Sequence, residues 1–134
     1  MQPTHALLGF AAWTLLLVLV IFGYRGMRLL QGTPINSWGR GKKTTTDPAF
    51  IERVEAAHAN CLENLVLFAV IVLAADALSK SEFIAGVASW VLFARIGQSV
   101  VHLIGTSQPL VLVRASFWSV QVALFAWMLW RLVG

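Results

Sequence analysis

Residues 52–64 read Glu-Arg-Val-Glu-Ala-Ala-His-Ala-Asn-Cys-Leu-Glu-Asn, and this polar stretch continues directly into an apolar run at 65–75. The apolar run alone is too short to cross a bilayer, which takes about 20 residues of helix. A spanning helix here must carry part of the polar stretch at membrane depth, where ionisable side chains are costly and mark functional sites. Helical spacing places four of these side chains on one side: Arg53, Asn60, Glu63 and Asn64.

The composition is that of a small integral membrane protein. Of 134 residues, 58% are hydrophobic and 12% are charged, whereas a soluble domain carries about 25% charged residues. This length leaves room for about four spans and no separate soluble domain. We predict one all-α domain over residues 1–134, a four-helix transmembrane bundle with spans at approximately 5–30, 50–78, 82–104 and 109–132.

The net charge of +4 indicates membrane topology and lipid contact, and not nucleic-acid binding. Most positive charges fall in or beside the first and third loops: Arg25, Arg28, Arg40, Lys42, Lys43, Arg53 and Arg114. Lys80 and Arg131 are alone on the opposite side. Because positive loops stay in the cytoplasm, this pattern predicts that both termini face away from it.

Local spacing predicts where the second and third spans begin, and it gives no sign of a metal site. Asp47 before Pro48 predicts an N-cap for the second span. Ser79 and Glu82 have the spacing of a capping box and predict the start of the third span. The three histidines have no ligand spacing, so no metal site is predicted.

The predicted topology brings the intramembrane polar groups of all four spans into the cytoplasmic half of the bundle. They are Arg25 and Arg28; Arg53, Asn60 and Glu63; Arg95, Gln98 and His102; and Arg114. The excess of arginines over acids favours an anionic ligand, since guanidinium binds carboxylate and phosphate in a bidentate fork. The apolar flank would suit a lipophilic second substrate from the bilayer.

Structural roles are the alternative for the same residues. Glu63 could pair with Arg95 or Arg53 to hold the bundle, and asparagines could form interhelical hydrogen bonds. Arg25 and Arg28 could extend to lipid headgroups. A transporter is disfavoured because no polar path continues through the other half.

The second span resembles the signature of the MAPEG family, membrane-associated proteins in eicosanoid and glutathione metabolism. The matching residues are Glu52, Arg53, Val54, Ala57, Asn60, Cys61 and Glu63, followed by Leu67 and Phe68. Phe93-Ala94-Arg95 and Arg114-Ala115 fall where the family has its other signatures. The resemblance covers essentially the whole chain. It indicates a bacterial-type member, which implies the bacterial inner membrane.

The resemblance implies a homotrimer that binds glutathione between subunits and acts on lipophilic electrophiles or hydroperoxides. Asn60 and Glu63 resemble the pair that holds the glutathione backbone, and Arg114 resembles the catalytic arginine that stabilises the thiolate. Arg95 resembles the third-helix arginine, and Arg25 or Arg28 the first-helix arginine near a glutathione carboxylate. Arg53, Gln98 and His102 complete the predicted binding set.

The chain departs from the glutathione-binding members at several positions. Ala56 and Ala59 stand where the second helix usually carries arginines. Gln98 and His102 stand where tyrosines or a histidine are frequent, and Trp118 replaces a tyrosine. These departures leave open an alternative function, a non-catalytic membrane scaffold or lipid-binding protein with the same fold.

Overall fold

The structure is a computed structural model that describes all 134 residues. Four α-helices make up most of the chain: α1 (Pro3–Leu30), α2 (Ala49–Ala77), α3 (Ala85–Ile104) and α4 (Gln108–Val133). Each is long and apolar enough to cross a membrane. The prediction of an all-α, four-helix membrane protein is therefore confirmed.

Three side-chain contacts establish that consecutive helices run in opposite directions. Arg25 near the end of α1 bonds Glu55 near the start of α2. Arg53 in α2 bonds the backbone near the end of α3, and Lys80 after α2 bonds the backbone at the end of α4. The first loop and the α3–α4 turn therefore share one end of the bundle, called the basic end below. It carries Arg25, Arg28, Arg40, Lys42, Lys43, Arg53 and Arg114.

A column of aromatic rings forms the centre of the core. Phe68 of α2 lies between Phe10 of α1 and Phe125 of α4, with ring centroids 5.7 and 6.0 Å away. Such tilted pairs add about 0.5–1.5 kcal/mol each to the burial of their area. Near the basic end, Gly97 allows α3 and α4 to approach closely, because a Cβ there would lie 2.9 Å from the Phe117 ring.

The first loop is folded into a small hairpin. After a 3₁₀ turn at Ile35–Ser37, strand β1 (Trp38–Gly39) pairs antiparallel with β2 (Lys42–Lys43). Gly41 in the turn has φ +71°, which a glycine adopts at little cost. A second 3₁₀ turn, Ser81–Phe83, precedes α3.

Asp47 holds this hairpin against the bundle, so the prediction that it caps α2 is wrong. No side chain caps that helix, and Pro48 occupies the N-cap position. The buried Asp47 carboxylate instead accepts hydrogen bonds from Tyr24 and Trp38, each at 3.1 Å, and lies 2.8 Å from Lys43 Nζ. Asp47 therefore makes a tertiary contact with three donors instead of the local hydrogen bond of a helix cap.

The charges of the hairpin stabilise one another. Burial alone would raise the pKa of Asp47, but the Lys43 ammonium and the donors of Trp38 and Tyr24 outweigh it and hold this pKa below its ordinary 3.8. Burial alone would lower the pKa of Lys43, but Asp47 and Glu55 outweigh it and raise this pKa above 10.5. Both groups are therefore charged at neutral pH.

The predicted capping box at Ser79 and Glu82 is also wrong. Ser79 has φ +56°, a left-handed conformation that is uncommon for residues other than glycine. Helix α3 starts only at Ala85, and no side chain caps it. The tight turn at Ser79 and the 3₁₀ turn at Ser81–Phe83 together reverse the direction of the chain between α2 and α3.

Candidate functional site

A cleft of about 230 Å³ opens between α2, α3 and α4 towards the basic end. We call it the inner cleft. Asn60 of α2, Gln98 of α3 and Arg114 of α4 line it, and Val111, Ala115 and Trp118 complete its wall. Three residues predicted from the sequence as site residues therefore meet in one place, although they come from three helices.

A second cleft, of about 260 Å³, lies beside it, and we call it the end cleft. It is lined by Ala49, Glu52, Arg53, Ala56, His102 and Thr106. Ala56 precedes Asn60 by one helical turn, and His102 follows Gln98 by one turn. The two clefts therefore follow the same α2–α3 seam at successive turns, with the end cleft nearer to the helix ends.

Arg53 is held in place by the protein itself. Its Nε donates to the carbonyl oxygen of Leu103 at 3.0 Å. His102, next to that carbonyl, is buried. Both predicted residues thus line the end cleft, and Arg53 also joins α2 to α3.

Arg95 lies in the core and lines neither cleft. It is 1% exposed, and its guanidinium carbon lies 5.6 Å from the centroid of the Phe10 ring. Its Nε donates to Gln121 Oε1 at 3.0 Å, and Gln121 Nε2 donates to Gln98 Oε1 at 2.8 Å. A chain of hydrogen bonds therefore joins this buried charge to the wall of the inner cleft.

Glu63 forms no ion pair, so the alternative in which it pairs with Arg95 or Arg53 is not realised within the chain. It is exposed on the outer side of α2. Ionisable side chains of spanning helices normally face protein or a wet cavity, and within the single chain this carboxylate has no charged partner.

The two arginines of α1 also line neither the inner nor the end cleft. Arg25 bonds Glu55 at 3.0 Å and lies over the Trp38 ring. Arg28 donates to the side chains of Tyr24, Thr33 and Thr45. Within one chain these arginines bind the first loop to the bundle.

Gln121 is a residue beside the inner cleft that the sequence reasoning missed. It is fully buried and connects Arg95 to Gln98. A sequence signal existed, because Gln121 is a polar residue inside an otherwise apolar span and lies seven residues, two helical turns, after Arg114.

The inner cleft can hold an anion but has no nucleophile of its own. Arg114 supplies a permanent positive charge, Asn60 and Gln98 supply amides, and no carboxylate lines it. Val111, Ala115 and the 48%-exposed Trp118 give it an apolar side. No group of three or more His, Cys, Asp or Glu side chains is placed to hold a metal ion.

The similarity of this chain to known proteins is to a family and not to an individual protein. No curated protein and no solved structure matches the chain. The model of the MAPEG family matches residues 4–134, essentially the full length. This family comprises glutathione-dependent transferases, peroxidases and related proteins. With its four spanning helices and a match over nearly every residue, the chain belongs to the MAPEG family.

Proposed function

We propose that the protein is a glutathione-dependent transferase or peroxidase that acts on lipophilic electrophiles or hydroperoxides. The observation that supports this most directly is the inner cleft, where the Arg114 guanidinium meets two amides without any carboxylate. Family members generally use glutathione, and a positive site of this kind suits its ionised thiol.

Arg114 would act as the catalytic residue by stabilising the thiolate. A free thiol has a pKa of about 8.5, and the thiolate is the nucleophile. A fixed guanidinium in a poorly solvated cleft favours the charged form, and each pKa unit corresponds to about 1.4 kcal/mol. The thiolate would attack an electrophilic carbon and form a thioether, while the leaving group departs with the electron pair of its broken bond. With a hydroperoxide it would attack the terminal oxygen and cleave the O–O bond, which gives an alcohol and glutathione sulfenic acid. A second glutathione would then reduce the sulfenic acid to the disulfide and release water.

The remaining contacts of glutathione would extend along the α2–α3 seam. With the thiol at Arg114, Asn60 and Gln98 would contact the tripeptide, and its carboxylate groups would lie towards Arg53 and His102 in the end cleft. Glu63 would accept a hydrogen bond from the α-amino group. Since Glu63, Arg25 and Arg28 line neither cleft of the single chain, the proposal places them at a subunit boundary of a homotrimer.

The second substrate would enter from the bilayer. Val111, Ala115 and Trp118 lie on one side of α4 and form the apolar wall of the inner cleft. The proposed setting is the bacterial inner membrane, with both termini away from the cytoplasm and the clefts accessible to cytoplasmic glutathione.

The test is a glutathione titration of the purified, detergent-solubilised protein, with thiolate absorbance and turnover as the two measurements. Arg114→Gln should abolish the thiolate signal and glutathione-dependent turnover, while the protein remains folded. Arg131→Gln is the matched control, because it removes an arginine from the same helix at the opposite end. No thiolate signal and no turnover with a panel of electrophiles and hydroperoxides in the unaltered protein would reject the proposal.

A non-catalytic, lipid-binding member is the second candidate. Ala56 lines the end cleft without contributing a charge, and both arginines of α1 are already engaged, Arg25 by Glu55 of α2 and Arg28 by Thr45 of the first loop. This candidate predicts co-purified lipid, detectable by native mass spectrometry, and no dependence on thiol. Turnover that requires both glutathione and Arg114 would exclude it.

A further inference from the structure

The hydrogen bonds between Arg95, Gln121 and Gln98 have a fixed direction. An arginine can only donate, so the atom of Gln121 that faces Arg95 must be its oxygen. The Gln121 nitrogen also lies 3.1 Å from the backbone oxygen of Phe117, which can only accept. Two independent partners thus define the orientation of this buried amide.

The orientation of Gln121 in turn determines that of Gln98. Gln121 Nε2 lies 2.8 Å from the Gln98 side chain and must meet an acceptor there, which is Oε1. The Gln98 amide nitrogen then points away from Gln121. It bonds no other group of the chain, and it is not among the buried polar atoms that lack a partner. Gln98 lines the inner cleft, so its N–H₂ group is the part of the amide left free to donate to a ligand there.

We infer that the N–H₂ group of Gln98 and the guanidinium of Arg114 form one anion site in the inner cleft, and that Gln121 and Arg95 are positioning residues for it. An unconstrained amide could rotate and present its oxygen, which repels an anion. The buried Arg95 guanidinium prevents this rotation, because it fixes the amide of Gln121, and Gln121 in turn fixes that of Gln98. The inference rests on the proposed function for the identity of the anion, the glutathione thiolate.

We call the hydrogen bonds from Arg95 through Gln121 to Gln98 the relay. The substitution Gln121→Glu changes the shape of the side chain little but removes the donor that faces Gln98. The new carboxylate still accepts from Arg95, but it can no longer donate to Gln98. Two acceptors would then face each other, so Gln98 must rotate and turn its oxygen into the inner cleft. We expect the fraction of bound thiol that is ionised at neutral pH to fall about tenfold, since a hydrogen bond to a charged group is lost.

Gln98→Met supplies a second, simpler variant. It removes the donor without placing a charge in the core, and it should lower the ionised fraction by a similar factor. In the Gln98→Met background, Gln121→Glu should have a clearly smaller effect than in the unaltered protein, because only the direct repulsion by its carboxylate remains. A merely structural role of Gln121 would change thermal stability but would not shift the pH profile of thiolate formation.

The readouts separate this inference from the proposed function. With glutathione, thiolate absorbance is measured as a function of pH. Iodide is an independent probe of the anion site, because it quenches tryptophan fluorescence. The quenching that is lost in Trp118→Phe is the part that comes from Trp118. Saturable iodide quenching that weakens in Gln98→Met and Gln121→Glu would support the relay even if glutathione does not bind. Equal iodide binding and equal pH profiles in all variants would overturn the relay while leaving the proposed function intact.

Discussion

Arg53 donates from Nε to the carbonyl oxygen of Leu103 at 3.0 Å, and this bond joins the beginning of α2 to the last turn of α3. The last four carbonyl groups of a helix lack partners within it. A positive charge at this helix end is also favourable because of the helix dipole. Arg53 therefore stabilises the ligand-free bundle, whatever it contributes to binding.

Arg53→Gln should lower the free energy of unfolding by about 1–2 kcal/mol, because a charge-assisted hydrogen bond to an otherwise unpaired carbonyl is lost. Thermal unfolding in detergent without ligand measures this. Arg40→Gln is the control, since Arg40 is exposed on the hairpin and forms no ion pair. Unchanged stability combined with lost glutathione affinity would assign Arg53 to binding alone.

Glu63 should matter for binding and little for the stability of the subunit. It is exposed and unpaired within the chain, so Glu63→Gln breaks no internal contact. If its partner is the ligand, glutathione affinity should fall about tenfold, as expected for a charge-assisted hydrogen bond. Calorimetric titration measures this, with Glu82→Gln at the other end of the bundle as the control. Equal affinity in both variants would remove Glu63 from the site.

Ser79→Gly should stabilise the protein. The left-handed conformation costs a residue with a side chain about 1–2 kcal/mol, and glycine avoids most of this cost. Allowing for the greater freedom of glycine in the unfolded chain, the expected gain is about 0.5–1 kcal/mol. Ser79→Ala should give no gain. If Ser79 were the cap of a helix, both substitutions would destabilise, and thermal unfolding distinguishes the two cases.

The hairpin should weaken in acid because of Asp47. Its pKa is lower in the folded protein than its ordinary 3.8, so its stabilisation is fully present above that pH and is lost as the pH falls through the folded value. Lys43 behaves in the opposite sense, and its contribution is lost only as the pH rises beyond 10.5. Asp47→Asn should be less stable than the unaltered protein at pH 7, and unfolding curves should converge below pH 3.8. A constant difference across this range would contradict the assignment.

The four spans could be predicted from apolar length, except that the second reaches spanning length only with part of the polar stretch at 52–64. The inner cleft could be predicted in part, since Asn60, Gln98 and Arg114 are polar residues at similar distances from one end of the bundle. Predictions from local spacing failed where a tertiary hydrogen-bond partner competed with the helix end. Asp47 has the spacing of a cap, but Tyr24 and Trp38 offer it hydrogen bonds that only the folded loop brings within reach.

For two further residues, sequence reasoning could not identify the contacts, for a different reason. The role of Gln121 depends on two partners in α3, and spacing along one helix cannot identify them. Glu63 has no ion pair within the chain, so neither the sequence nor the structure identifies what it contacts. The contacts of Gln121 are determined by packing between helices, which spacing along one helix does not encode.

The bond between Arg95 and Gln121 also bears on how the protein enters the membrane during synthesis. An arginine at the centre of a spanning helix costs about 2.5 kcal/mol or more for insertion, and the acceptor that offsets this cost lies on α4. Only residues 105–107 separate the two helices. We therefore expect α3 and α4 to leave the translocon together as a hairpin. In an insertion assay, a nascent chain cut before Gln121 should leave α3 poorly inserted, and Arg95→Leu should remove that dependence on α4.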